Sequence, residues 1–158
     1  MKTLIIYDSF FSNTEQIAQA IGKALASRME VEILKVDNVK PEQFTGLKLL
    51  IVGSPTRAFK PTPAINKLLR RIPNHGLEGV KVSAFDTRIS MSDINSRILP
   101  VIVRLLGYAA KPIAARLKKK EGELVIPPEG FFVEGKEGPL KEGELERAAG
   151  WAEKIMAT

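Results

Sequence analysis

Three short apolar runs constrain this chain more than any other feature: TLIIY (residues 3–7), KLLIVGS (48–54) and VKVSAF (80–85). The first two are close to continuous, the pattern of a strand buried on both faces, and the third also reads as a strand. Segments of helical period separate them. Ile17, Ala20, Ile21, Ala24 and Leu25 recur at helical spacing after the first run, and AINKLLRRI (64–72) follows the second. The first helix starts near residues 12–14, where short polar side chains cap free backbone N–H groups. VEILKV (31–36) alternates with period two and reads as a strand nearer an edge, with a short helical turn after Pro41. YAAKPIAARLKKK (108–120) is helical, with Pro112 close to its first turn. ELVI and FFVEG make a final strand region interrupted by PPEG, and residues 141–156 close the chain as a helix.

Strands that alternate with helices imply a parallel sheet with helices on both faces. The chain shows no linker, repeat or low-complexity tract, so residues 1–158 read as a single α/β domain. Open sheets of this kind bind ligands beyond the carboxyl ends of their strands, where strand order reverses. That directs attention to the loops after Tyr7, Val52 and Phe85.

Composition removes several chemistries. With no cysteine there are no disulfides, thiolate nucleophiles, iron–sulfur clusters or thiolate zinc sites. The same absence suits a reducing cytoplasm. The single histidine, His75, follows Pro73-Asn74 in a loop, which leaves no parts for a catalytic triad or a metal site. A phosphoreceiver domain would need an acidic residue at the end of the third strand, where Gly53-Ser54 stand. Met1-Lys2 runs directly into a strand pattern, so no signal peptide is expected. The apolar stretch ILPVIVRLL (98–106) contains Arg104 and falls far short of the roughly 20 residues of a membrane span.

Charge is uneven. The chain carries a net +6, but residues 57–120 hold 14 Lys and Arg against 3 Asp and Glu. A basic middle between acidic ends implies a positive face suited to an anionic ligand or partner. No basic motif is interleaved with aromatics, so nucleic acid is not expected.

The loop after the first strand, DSFFSNT, crowds Ser9, Ser12, Asn13 and Thr14 at the mouth of a helix. Helix N-termini offer unpaired N–H groups and partial positive charge, a seat for phosphate. Neither G-x-G-x-x-G nor G-x-x-x-x-G-K-[ST] is present, which argues against dinucleotides and triphosphates. The loops GSPTRAFKPTP (53–63) and FDTRIS (85–90) converge on the same sheet edge.

At these residues the chain resembles the flavodoxin family. The family's pattern after the first strand stands here as Ile5-Ile6-Tyr7-Asp8-Ser9-Phe10-Phe11-Ser12-Asn13-Thr14, then Ala18 and Ile21, departing only at Ser12, where the family favours glycine or alanine. IVGSPT resembles its second flavin loop. The resemblance covers essentially the whole chain in element order. It implies a three-layer sandwich whose five-stranded parallel sheet has the order 2-1-3-4-5. It also implies FMN, with the phosphate held by the loop Ser9, Phe10, Phe11, Ser12, Asn13 and Thr14. The isoalloxazine would lie between Ser54, Pro55, Thr56, Arg57, Ala58 and Phe59 on one side and Phe85, Asp86, Thr87 and Arg88 on the other, with Phe59 placed to stack on it.

Redox chemistry needs no acid–base side chain, because the cofactor carries the reaction. The leading reading is therefore an FMN-binding electron-transfer protein of the cytoplasm that serves a redox partner or small acceptor, the partner being acidic. An FMN-dependent reductase of quinones or similar acceptors, and a flavodoxin-like binding module without flavin, stand as alternatives. Arg57, Lys60 and Arg88 beside the ring loops predict a reduction potential above that of acidic flavodoxins, unless the arginines point into solvent or pair with Asp86. Residues 89–106 exceed a simple βα connection and read as an extra helical segment between the fourth strand and its helix. Three roles stand open for it: a cover over the ring, a dimer or partner surface over 90–106, and a packing extension.

Overall fold

The computed structural model describes residues 1–90 and 107–158. The strands are β1 (Lys2–Tyr7), β2 (Glu30–Lys35), β3 (Leu49–Pro55), β4 (Lys81–Ile89), β5 (Glu123–Leu124) and β6 (Glu129–Val133). The helices are α1 (Asn13–Leu25), α2 (Pro63–Arg71), α3 (Ala110–Lys119) and α4 (Glu144–Met156). Between β2 and β3 the chain makes only two short 3₁₀ turns, Val36–Asn38 and Pro41–Phe44. Of the extra helical segment expected over 89–106 and the dimer surface expected over 90–106, residues 91–106 lie outside the described residues, and Ile89 is the last residue of β4.

The sheet has the order β2-β1-β3-β4-β5, all parallel, as expected. The fifth position is shared. β5 pairs with Lys81 and Val82 near the start of β4, and β6 pairs with Phe85–Ile89 near its end. The break that the sequence places around PPEG is the step between these two segments.

The two-sided burial of the central strands explains their continuous apolar runs. Leu4, Ile6, Leu50, Val52, Val82 and Ala84 face α2 and α3, meeting Ile65, Leu69, Ile113 and Leu117. Ile5, Ile51, Phe85 and Phe131 face α1 and α4, meeting Ile17, Ile21, Trp151 and Ile155. Phe85, Phe131 and Trp151 meet edge to face, with ring centroids 6.1–6.3 Å apart. Gly53, paired with Phe85 in register, makes room for that ring: a Cβ at Gly53 would lie 2.1 Å from Phe85 Cζ. The two packed layers bring the ends of β1, β3 and β4 together at one edge, and with them the three loops.

Candidate functional site

The first loop leaves β1 through Asp8, which is buried and accepts the Ser9 N–H at 2.9 Å. Ser12 then adopts a left-handed backbone (φ 65°) and α1 begins at Asn13. Its side chain accepts no capping bond from the helix, contrary to the expected serine cap. The turn instead aims backbone donors outward. The N–H groups of Phe10, Phe11, Ser12, Asn13, Thr14 and Glu15 meet no acceptor among the described residues. Ser9 Oγ is buried and also lacks a partner among the described residues. Buried polar atoms are paired as a rule, so an orphan of this kind marks a place for something the chain does not supply.

Cross-links hold this loop against its neighbours. Thr14 Oγ1 and Thr87 Oγ1, both buried, lie 2.8 Å apart and tie the first loop to β4. Asn13 Nδ2 donates to the Glu137 carbonyl at 3.1 Å, tying it to the β6–α4 connection.

The second loop closes on itself. Ser54 Oγ donates to the Pro55 carbonyl and accepts the Thr62 N–H at 3.0 Å, which fixes the entry to α2. Arg57 and Lys60 exchange backbone hydrogen bonds around a tight turn with Ala58 at φ 48° and Phe59 at φ 69°. Left-handed backbone costs a side-chain-bearing residue about 1–2 kcal/mol, so this tip is strained as well. Thr56 N–H donates to the Thr87 carbonyl at 2.9 Å, which joins the second loop to the end of β4.

Between these loops lies a cleft of about 230 Å³. From the first loop Ser9, Phe10, Phe11, Asn13 and Thr14 line it; Pro55, Thr56, Arg57 and Ala58 come from the second, and Thr87 and Arg88 from the end of β4, which runs on as strand through most of the loop expected at 85–90 because β6 pairs with it there. The other expected residues are not part of its lining, although the Ser12 N–H belongs to the unpaired donor row of the first loop. Ser12 and Phe59 are outside the lining, Ser54 is the loop's internal lock, and Phe85 belongs to the aromatic core. Asp86 is fully buried behind the cleft and binds Arg88.

Ile89, Val133 and Lys136 also line the cleft without having been expected. Ile89 is the last residue of β4 and stands inside the stretch expected as the third loop. Val133 and Lys136 reach the edge only because β6 pairs with β4, and no local pattern announces that.

Of the alternatives for the cations, Arg88 takes the pairing with Asp86. Arg88 gives two hydrogen bonds of 2.7 Å to Asp86 and stacks on Tyr108, 3.7 Å from its ring centroid. Its charge is therefore balanced. Burial holds the Asp86 carboxyl above the ordinary carboxylate range, and Arg88 and the Ala110 N–H offset this only in part. Both carboxylate oxygens accept hydrogen bonds, the geometry of an ionised group. Arg57 lies 5.0 Å from the centroid of the exposed Phe10 ring. His75 lies before β4, exposed, with Nδ1 2.6 Å from Glu121.

The family model for flavodoxins matches residues 5–151. The chain belongs to the flavodoxin family. No curated protein sequence matches it. Among solved structures, oxidised flavodoxin 1 from Bacillus cereus is similar at TM-score 0.78 and 15% identity, over 99% of this chain and 98% of that one. Flavodoxin 2 from the same organism is similar at TM-score 0.77 and 22% identity, over 99% of each chain. Rubredoxin:oxygen oxidoreductase from Desulfovibrio gigas, at TM-score 0.74 and 19% identity, matches 99% of this chain with only 35% of its own length. Flavodoxins bind FMN and transfer electrons to redox partners, and family membership gives this chain that cofactor and role. The residues present fit the cofactor: a flavodoxin's phosphate needs donors without competing partners, and the first loop offers a row of N–H groups and the Ser9 hydroxyl. No helix among the described residues is long and apolar enough to cross a membrane.

Proposed function

We propose that the cleft between the three loops is the FMN site and that the chain works there as an electron carrier. The observation that carries this reading is the orphaned Ser9 hydroxyl beside the unpaired N–H groups of residues 10–15. A phosphate monoester would satisfy both, and the partial positive charge at the start of α1 favours its negative charge. Thr14 holds the turn through Thr87, and Lys136 adds a cation at the cleft wall. Pro55, Ile89, Val133 and the two loop phenylalanines supply apolar surface for the ring. Bound FMN supplies the redox chemistry. The chain's own residues bind and orient it and exclude water from its ring.

The exposed Arg57 and Lys60, with Phe10 and Phe11 at 54% and 39% exposure, give the rim a basic and aromatic character. An acidic redox partner suits such a rim, through long-range attraction followed by apolar contact. The lack of cysteine suits a cytoplasmic setting.

Two assays test the reading. The isolated holoprotein should oxidise a nicotinamide cofactor negligibly alone and should exchange electrons rapidly once a flavodoxin reductase is added. Vigorous turnover with nicotinamide and a quinone, without a reductase, would overturn the carrier role in favour of the reductase.

A further inference from the structure

Asp86 is the most completely buried carboxylate near the cleft, at 0% exposure, and its surroundings are arranged around a single cation. Arg88 Nε donates to Asp86 Oδ1 and Nη2 to Oδ2, each at 2.7 Å. The Ala110 N–H, at the start of α3, donates to Oδ2 at 2.9 Å. Two further neighbours hold the Arg88 guanidinium. Its Cζ lies 3.7 Å from the Tyr108 ring centroid. Gly130 of β6 pairs with Asp86 in register, and a Cβ there would collide with Arg88 Nε. A buried carboxylate, a glycine slot and an aromatic lid thus fix one guanidinium, whose residue lines the cleft.

Such a pair is costly to bury and is weak evidence of stabilisation. What it does provide is a fixed charge balance beside the ligand. We propose that Asp86 is a positioning residue that sets the electrostatics of the redox site: by cancelling Arg88, it makes the cleft favour reduced over oxidised FMN less than the bare arginine would. The proposal rests on the FMN reading of the cleft. FMN that takes two electrons and one proton from an external donor gains one negative charge. A lone cation at the cleft wall favours that form, and a neutral pair does so far less.

The test measures the two-electron midpoint potential of the holoprotein by spectroelectrochemistry, together with Kd for oxidised FMN from titration of the apoprotein. Asp86→Asn removes the charge and keeps a carbonyl oxygen for Arg88 or Ala110. In this variant, binding of reduced FMN should tighten about tenfold relative to oxidised FMN, a rise of about 30 mV for a two-electron couple. The double variant Asp86→Asn/Arg88→Met is neutral again and should return to the wild-type potential. It leaves no lone buried charge, so it serves as the test if Asp86→Asn fails to fold. A folded, flavin-loaded Asp86→Asn protein with an unchanged or lower potential would overturn the proposal. So would a double variant about tenfold less selective for reduced FMN than wild type, because Arg88 would then act uncancelled. A wild-type apoprotein that takes up no FMN removes the reading of the cleft itself, whereas a loaded protein whose potential does not move removes this proposal alone.

Discussion

Replacing Ser12 with glycine isolates the strain stored in the first loop. Ser12 sits at φ 65° and ψ −1°, where a side chain costs about 1–2 kcal/mol. Its hydroxyl forms one exposed contact, accepting from Gln16 Nε2 at 3.2 Å, and no bond to the helix end. Glycine removes the steric cost but adds about 0.4–1 kcal/mol of freedom to the unfolded chain. The net gain is about 0.5–1 kcal/mol. In a domain of this size that raises Tm by about 1–4 °C. Thermal denaturation of the apoprotein, followed by circular dichroism, reads this directly. Ser12→Ala keeps the strained φ and should give no such rise. The strain is present with or without ligand, so it cancels in binding, and Kd for FMN should stay within about threefold. A fall in Tm for Ser12→Gly would show that the hydroxyl, rather than the backbone, governs this turn.

Ser9→Ala should separate stability from binding. Removing an unpaired buried hydroxyl should stabilise the apoprotein by about 1 kcal/mol, yet loss of a donor to a charged phosphate should weaken FMN binding about tenfold or more. Denaturant titration and fluorescence titration check the two halves. Gly53→Ala should destabilise by about 1–3 kcal/mol, because its methyl would enter the Phe85 ring that Phe131 and Trp151 hold in place. Equilibrium urea unfolding measures it, and an unchanged midpoint would show that the aromatic cluster yields. At the start of α4, burial pushes the Glu144 carboxyl up, but the side chain of Arg147 and the Phe132 N–H outweigh it and hold the group below the ordinary range. A depressed carboxyl stabilises the fold above its unfolded pKa, about 4.3. That contribution is lost as pH falls through the lower folded value. Glu144→Gln should lower stability at neutral pH and flatten its acid limb, and an acid limb as steep as wild type would contradict this.

Much of the architecture is legible in the sequence because both-face burial leaves a local trace. The runs TLIIY and LLIV can sit only in the middle of a covered sheet, and Ile17, Ile21 and Leu25 mark the face of α1 that covers it. The donor loop is legible for a similar reason: hydroxyl and amide residues at a strand-to-helix junction have few other uses. The positive φ at Ser12 falls at the one position that departs from the family pattern. What the sequence hides is set by distance along the chain. Lys136 reaches the cleft through a connection pinned by Asn13 to Glu137. Pairing of Arg88 with Asp86 can be named from the sequence but not decided there, because neither the fold of Tyr108 over the guanidinium nor the slot at Gly130 is visible in a linear reading. Phe59 looks like a stacking ring until the tight Arg57–Lys60 turn places it outside the cleft lining.

FMN titration of the purified apoprotein decides whether the cleft holds a flavin. Quenching of FMN fluorescence should saturate at one equivalent, and the complex should show the visible absorption of a bound flavin. Ser9→Ala should weaken that binding, whereas Ser12→Gly should not. A protein that remains colourless and leaves FMN fluorescence unchanged at micromolar concentration would contradict the reading of the cleft as a flavin site.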